Sequence, residues 1–155
     1  MNEDNTVYVD ISRSFDLLVE EWTKNFTDRL RASIGPDLGA TDIRVLTRLS
    51  PDDPLGPSEL SARIGVGLPA ISKSLSRLRG KGLVVTERDP ADGRALLVLL
   101  TEDGSAQADA LHRIGSGMTR GVVRDWSDED VRTLSGLLER YLDDTRRFIA
   151  ETSEE

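Results

Sequence analysis

The segment from Leu60 to Thr101, LSARIGVGLPAISKSLSRLRGKGLVVTERDPADGRALLVLLT, decides the fold. It reads as a short helix, a glycine-containing turn, a second helix, and two strands joined by the polar tip Asp89-Pro90-Ala91-Asp92-Gly93-Arg94. Ile71, Leu75 and Leu78 stand at i, i+4 and i+7 of the second helix, so they share one face and bury it. Pro69, Lys73, Ser76, Arg77 and Gly80 then project from the opposite face, where a groove of DNA can receive them. Helix, turn, helix and hairpin in this order make a winged helix-turn-helix.

Charge points the same way. The chain carries a net charge of -8, yet Arg63 to Gly82 holds five Lys or Arg and no Asp or Glu, a local +5 that leaves -13 for the remainder. So acidic a protein repels polyanions in general, and a cationic segment on one helix and its flank marks a dedicated contact surface.

Composition removes several function classes. With no cysteine there are no disulfides, thiolate metal sites or thiol-based redox sensing, and the single histidine, His112, cannot form a His-rich metal site within one chain. His112 reads as a helix-surface or interface residue. No nucleophile with a paired base, metal cluster or phosphate loop is present, so the expectation is a protein that is not an enzyme and uses no cofactor and no metal. No apolar run approaches the roughly 18 residues needed to span a bilayer, and Met1-Asn2-Glu3-Asp4-Asn5 is no secretion signal, so a cytoplasmic protein without a membrane partner is expected. At 155 residues the chain is about one domain, and 37 % apolar content is low for that length, which suggests apolar surface buried between two chains.

The flanking segments read as helices. Ile11, Phe15, Leu18, Trp22, Phe26, Leu30 and Ile34 recur at steps of three and four, predicting a long amphipathic helix over Ser12 to Ile34 that Gly35-Pro36 ends. Thr41 is the expected cap of the next helix, with Asp42 suiting its positive start and Ile43, Leu46 and Leu49 on its buried face. Ser50 to Leu55 reads as a loop, and Gly56-Pro57 opens a third helix anchored by Leu60 and Ile64. Thr101-Glu102-Asp103 starts a helix that runs through Ala108, Leu111, Met118 and Val122. Its Gly104, Gly115, Gly117 and Gly121 predict either a kink near Gly115 to Gly121 or close packing against another helix. Ser127 with Asp130 starts the last helix, striped by Val131, Leu134, Leu138, Tyr141, Leu142 and Phe148.

Gly65-Val66-Gly67 with Ala70 matches G-x-G-x-x-A, and Glu87 lies 20 residues beyond Gly67. A dinucleotide-binding loop needs a buried strand before the first glycine, whereas Ser58 to Ile64 has helical spacing. The glycines therefore serve the tight inter-helix turn.

The chain resembles the MarR family of bacterial transcription regulators. The resemblance is carried by Leu38-Gly39-Ala40-Thr41, Ser58-Glu59-Leu60-Ser61-Ala62-Arg63-Ile64-Gly65, Lys81-Gly82-Leu83-Val84, the Asp89 to Arg94 tip and Leu100-Thr101-Glu102-Asp103-Gly104. It implies a homodimer in which the first and the last two helices of both subunits interlock, with each recognition helix in a major groove. The expected architecture is mainly α with a small β-wing: a winged helix-turn-helix lobe over 37–100, and dimerisation helices over 1–36 and 101–155. Two departures stand out. Gly67 and Pro69 replace the Ser or Thr frequent in the family, and Leu97 and Leu99 make the second wing strand unusually apolar.

The expected DNA-facing set is Pro69, Ala70, Ser72, Lys73, Ser76, Arg77 and Lys81, with Asp92 and Arg94 at the wing tip. Asp92 is placed to accept hydrogen bonds from the Arg94 guanidinium, an arrangement the resemblance also implies; the alternative is a turn in which Asp92 bonds its own backbone. Trp22 and Phe26 are either core or, as the resemblance implies, the lining of a small-molecule effector pocket. The leading expectation is a sequence-specific, homodimeric regulator of transcription, a repressor or an activator with the repressor favoured. Its expected partners are double-stranded DNA carrying a pseudo-palindromic operator, a second copy of the chain, and a small-molecule effector. A winged helix used for protein contact without DNA is the competing expectation.

Overall fold

The computed structural model describes residues 3–22, 29, 37–50 and 53–152. Its described elements are α1 (Glu3–Glu21), α2 (Ala40–Arg48), α3 (Pro57–Ile64), α4 (Leu68–Gly80), β1 (Val84–Arg88), β2 (Leu96–Leu100), α5 (Glu102–Val122) and α6 (Asp128–Thr152). The fold is mainly helical with one small antiparallel sheet, as expected. Two compact units divide it, Met1–Gly115 and Ser116–Glu155, and α5 passes from the first into the second.

The first helix starts at Glu3 and not at Ser12. Tyr8 extends the Ile11 stripe by three residues. Phe26, Leu30, Ile34 and the Gly35-Pro36 stop lie outside the described residues.

In the first unit one apolar cluster takes residues from every element of the winged lobe, among them Leu46 of α2, Leu60 of α3, Ile71, Leu75 and Leu78 of α4, and Val84 and Val98 of the sheet. Leu111 of α5 closes it. The two strands pair from Val84↔Leu100 to Arg88↔Leu96. Leu55, expected in a loop, joins them: the Val98 N–H donates to its carbonyl at 2.9 Å, and burying its side chain there removes an apolar group from water.

Local chemistry sets the joints. Gly65, at φ +71°, ends α3, and its N–H donates to Ser61 O at 2.9 Å; only glycine takes that backbone region without steric cost. The Ser61 hydroxyl donates to Val66 O at 2.6 Å, tightening the same turn. Helix α2 is capped by Gly39, not by Thr41, which sits inside the first turn. The reason is Asp42, whose carboxylate accepts the Gly39 N–H at 2.8 Å and so fixes the helix start two residues before Thr41.

The L-T-x-x-G stretch is a joint as well. The Thr101 Oγ1 accepts the Gly104 N–H at 2.9 Å, capping α5, and donates to Gly82 O at 2.7 Å. A Cβ on Gly104 would lie 1.9 Å from Leu83 O, so close packing explains this glycine, against the backbone just before β1 and not against another helix. Helix α5 runs unbroken through Gly117 and Gly121, and among the described residues an added Cβ at either would meet no atom within 4 Å outside the local helix backbone. In the second unit, Ser127 Oγ accepts the Asp130 N–H at 3.1 Å and donates to its carboxylate at 2.6 Å, the expected start of α6.

Candidate nucleic-acid interface

Helix α4 presents two faces. Ile71, Ser74, Leu75 and Leu78 are buried, while Leu68, Pro69, Ala70, Ser72, Lys73, Ser76, Arg79 and Gly80 are exposed. At 100° per residue, Pro69, Lys73, Ser76 and Gly80 form the centre of the exposed face. Leu68, Ser72 and Arg79 follow one flank, and Ala70 and Arg77 the other. Pro69 stands in the first turn after Gly67, which caps α4 without any side-chain hydrogen bond. The hydroxyl cap frequent in the family is absent here.

Arg77 faces α2. Its Nε donates to Asp42 Oδ2 at 3.0 Å and its Nη2 to Asp42 Oδ1 at 2.7 Å, and the buried Ser74 hydroxyl donates to the same carboxylate at 2.5 Å. Asp42 is fully buried, whereas the Arg77 side chain keeps 38 % of its surface. Burial pushes the Asp42 carboxyl up, but the hydrogen bonds from Arg77, Ser74 and the Gly39 N–H outweigh it and hold it below the usual carboxylate range. The same hydrogen bond holds Arg77 above its ordinary value.

Three cations of the +5 segment therefore have acidic partners supplied from outside it. Besides Arg77, Arg63 contacts Asp53 at 3.1 Å and Glu59 at 2.7 Å, and Lys81 lies 3.6 Å from Asp37. A stretch without acids in sequence is not one without acids in space. Lys73 and Arg79 have no carboxylate partner among the described residues.

The wing tip is built differently from expectation. Asp92 Oδ1 accepts the backbone N–H of Arg94 at 3.0 Å, so the predicted bond to the Arg94 guanidinium is replaced by an Asx turn. A carboxylate two residues before an amide reaches it within the turn itself, which needs no ordering of a long side chain. Asp89 makes a second such turn with the Ala91 N–H at 2.8 Å, and Arg88 clamps the tip by donating to Gly93 O at 2.6 Å. Arg94 stays exposed.

A family model described as MarR family matches residues 37–95, which spans α2 to the wing tip. The multiple antibiotic resistance protein MarR of Salmonella typhimurium is 33 % identical over 107 residues, covering 68 % of this chain and 74 % of that protein. The chain belongs to the MarR family. The HTH-type transcriptional repressor IacR of Pseudomonas putida is 29 % identical over 118 residues, covering 76 % of this chain and 69 % of IacR. The crystal structure of wild-type MarR in its apo form from Escherichia coli superposes with a TM-score of 0.63 at 28 % identity, covering 82 % of this chain and 96 % of that one.

As a MarR-family member the chain is a DNA-binding transcriptional regulator with a winged-helix fold. Pro69, Ala70, Ser72, Lys73 and Ser76 come together on one exposed face of α4, Lys81 lies just beyond its end, and Asp92 and Arg94 stand at the wing tip. Trp22 directly follows α1 and is partly exposed, while Phe26 lies outside the described residues. His112 Nε2 lies 3.3 Å from Thr47 O. Sequence reasoning gave Asp42 only a place at a helix start and passed over Ser74, which together hold Arg77. Ser74 carried a signal: a hydroxyl on the apolar arc between Ile71 and Leu78 needs a buried partner. No helix among the described residues is long and apolar enough to cross a membrane.

Proposed function

We propose that this chain is a homodimeric repressor of transcription that binds a pseudo-palindromic duplex operator. Each α4 enters a major groove through Ser72, Lys73 and Ser76, with the exposed Arg94 in an adjoining groove and Lys81 at the helix end, where a phosphate displaces the loose, largely exposed Asp37 partner. The observation that carries the reading is the Lys73 face of α4, which is exposed, cationic and clear of acidic partners among the described residues. Phosphate contacts fix register there, and side chains on the same face reach base edges. The similarity to the transcriptional repressor IacR supports the direction of regulation.

Two copies are required to cover the terminal helices. No residue of α6 is buried in the single chain, although Leu138, Tyr141, Leu142 and Phe148 form an apolar stripe; Tyr8, Ile11 and Leu18 of α1 are likewise exposed. Contiguous apolar surface of this kind marks an interface between chains. A small-molecule effector relieves repression by binding more tightly to the dimer whose recognition helices are wrongly spaced for DNA. A chain without cysteine leaves no thiol route to that release. The regulator works in the cytoplasm, where the operator is.

A gel shift with the DNA upstream of the chain's own gene, together with sedimentation of the free protein, tests this. The expected result is a dimer whose half-sites lie about one helical turn apart. A monomer in solution, or no shift in low salt, overturns the reading.

A further inference from the structure

The first turn of the recognition helix has no hydrogen-bonding side chain. Gly67, Leu68, Pro69 and Ala70 offer none, Pro69 lacks an N–H, and the Ala70 N–H is already given to Gly67 O at 2.9 Å. The nearest polar side chain on the helix is Ser72, a turn further on. Yet the N-terminal residues of a recognition helix are those that meet base edges in the major groove. Of the groups displayed there, guanine, adenine and cytosine offer donors and acceptors, which no side chain of this turn can answer. Thymine alone adds a C5 methyl group.

Leu68 is the side chain that can use it. It opens α4, keeps 46 % of its surface exposed, and is the one large apolar residue of α4 left in water. The other large apolar residues left exposed between 37 and 100, Val85 and Leu96, belong to the wing strands. We infer that Leu68 is a specificity-determining residue that selects a thymine in each operator half-site by burying its C5 methyl group. The inference rests on the reading of the chain as a sequence-specific DNA binder. It gives the first turn of α4 a role in discrimination, whereas Lys73 supplies affinity.

The test uses the full chain and a duplex selected by it from a random-sequence pool. Each thymine of a half-site is replaced singly by deoxyuridine, which deletes the methyl group and keeps every hydrogen bond. Affinity is measured with the unaltered chain and with Leu68→Ser, a substitution at an exposed first helical position. One deoxyuridine position per half-site is expected to weaken the unaltered chain about three- to fivefold, the value of one buried methyl, and to leave Leu68→Ser unchanged. If no thymine is sensitive, or if Leu68→Ser shows the same loss, Leu68 does not read a methyl group. The deoxyuridine series on the unaltered chain decides the first point without any variant. Failure to select any duplex strikes instead at the DNA-binding reading itself, and takes the inference with it.

Discussion

Arg77 on α4 and Asp42 on α2 are joined by two hydrogen bonds across 35 positions of sequence, at 3.0 and 2.7 Å. Two parallel bonds between a planar guanidinium and a carboxylate fix orientation as well as distance, so they set how α4 sits on α2. The same carboxylate holds the Gly39 N–H, which ties the start of α2 into the joint. Arg77→Ala should therefore destabilise the winged lobe by about 2 kcal/mol. That is below the 3 to 5 of a fully buried pair because Arg77 is partly solvated. Urea midpoints of Arg77→Ala, Asp42→Asn and the double variant check it: additive losses would mean that the two residues do not act together.

The acid limb of stability should belong in part to Asp42. Its folded carboxyl titrates below its unfolded value, so the unfolded chain binds the extra proton and the contribution is present above the unfolded carboxylate value of about 3.9. It is lost as pH falls through the lowered folded value. The melting-temperature gap between the unaltered chain and Asp42→Asn should be widest near neutral pH and narrow below pH 4. A gap that widens on acidification contradicts the assignment.

The glycines of α5 should respond in opposite directions. Gly104→Ala places a methyl group against Leu83 O, backbone that cannot step aside, and should cost about 3 kcal/mol or more. Gly121→Ala meets open space in the chain and should gain up to about 1 kcal/mol from helix propensity. Thermal melts of the two variants separate them. Loss of the dimer in Gly121→Ala would show that a partner helix approaches this glycine.

Salt titration should distinguish cations that face DNA from those that brace the lobe. Lys73→Ala should reduce the slope of log K against log salt by about 0.9 per subunit, since one phosphate contact is removed. Arg63→Ala should leave the slope unchanged, because Arg63 is already engaged by Asp53 and Glu59. Equal changes in both variants, read by fluorescence anisotropy, would falsify this division.

At the wing, Asp92→Asn should bind operator DNA as well as the unaltered chain. An amide oxygen still accepts the Arg94 N–H, so the Asx turn survives the loss of charge. Arg94→Ala should weaken binding by roughly 1 to 3 kcal/mol, with dimerisation unaffected. A drop for Asp92→Asn as large as that for Arg94→Ala would mean that the carboxylate holds the guanidinium after all.

The order of elements in the winged lobe was legible in the sequence because its signals are local. The period of Ile71, Leu75 and Leu78, the left-handed Gly65, the Pro57 start and the Asp-Gly tip each depend on a few neighbouring residues, and each stands in the structure near where it was expected. The start of α1, the cap of α2 and the strand pairing of Leu55 were not, since each depends on competing local partners or on a residue distant in the chain. The charge of the recognition helix shows the same limit. Sequence supplies five cations in a row of acid-free positions, and only folding brings Asp42, Asp53, Glu59 and Asp37 up to three of them. Local periodicity determines which residues a helix exposes. Arg63 finds Glu59 one helical turn away, but which charges of α4 and its end are left for DNA is settled by Asp42 and Asp37, tens of residues distant, because Coulomb attraction depends on distance in space and not on separation along the chain.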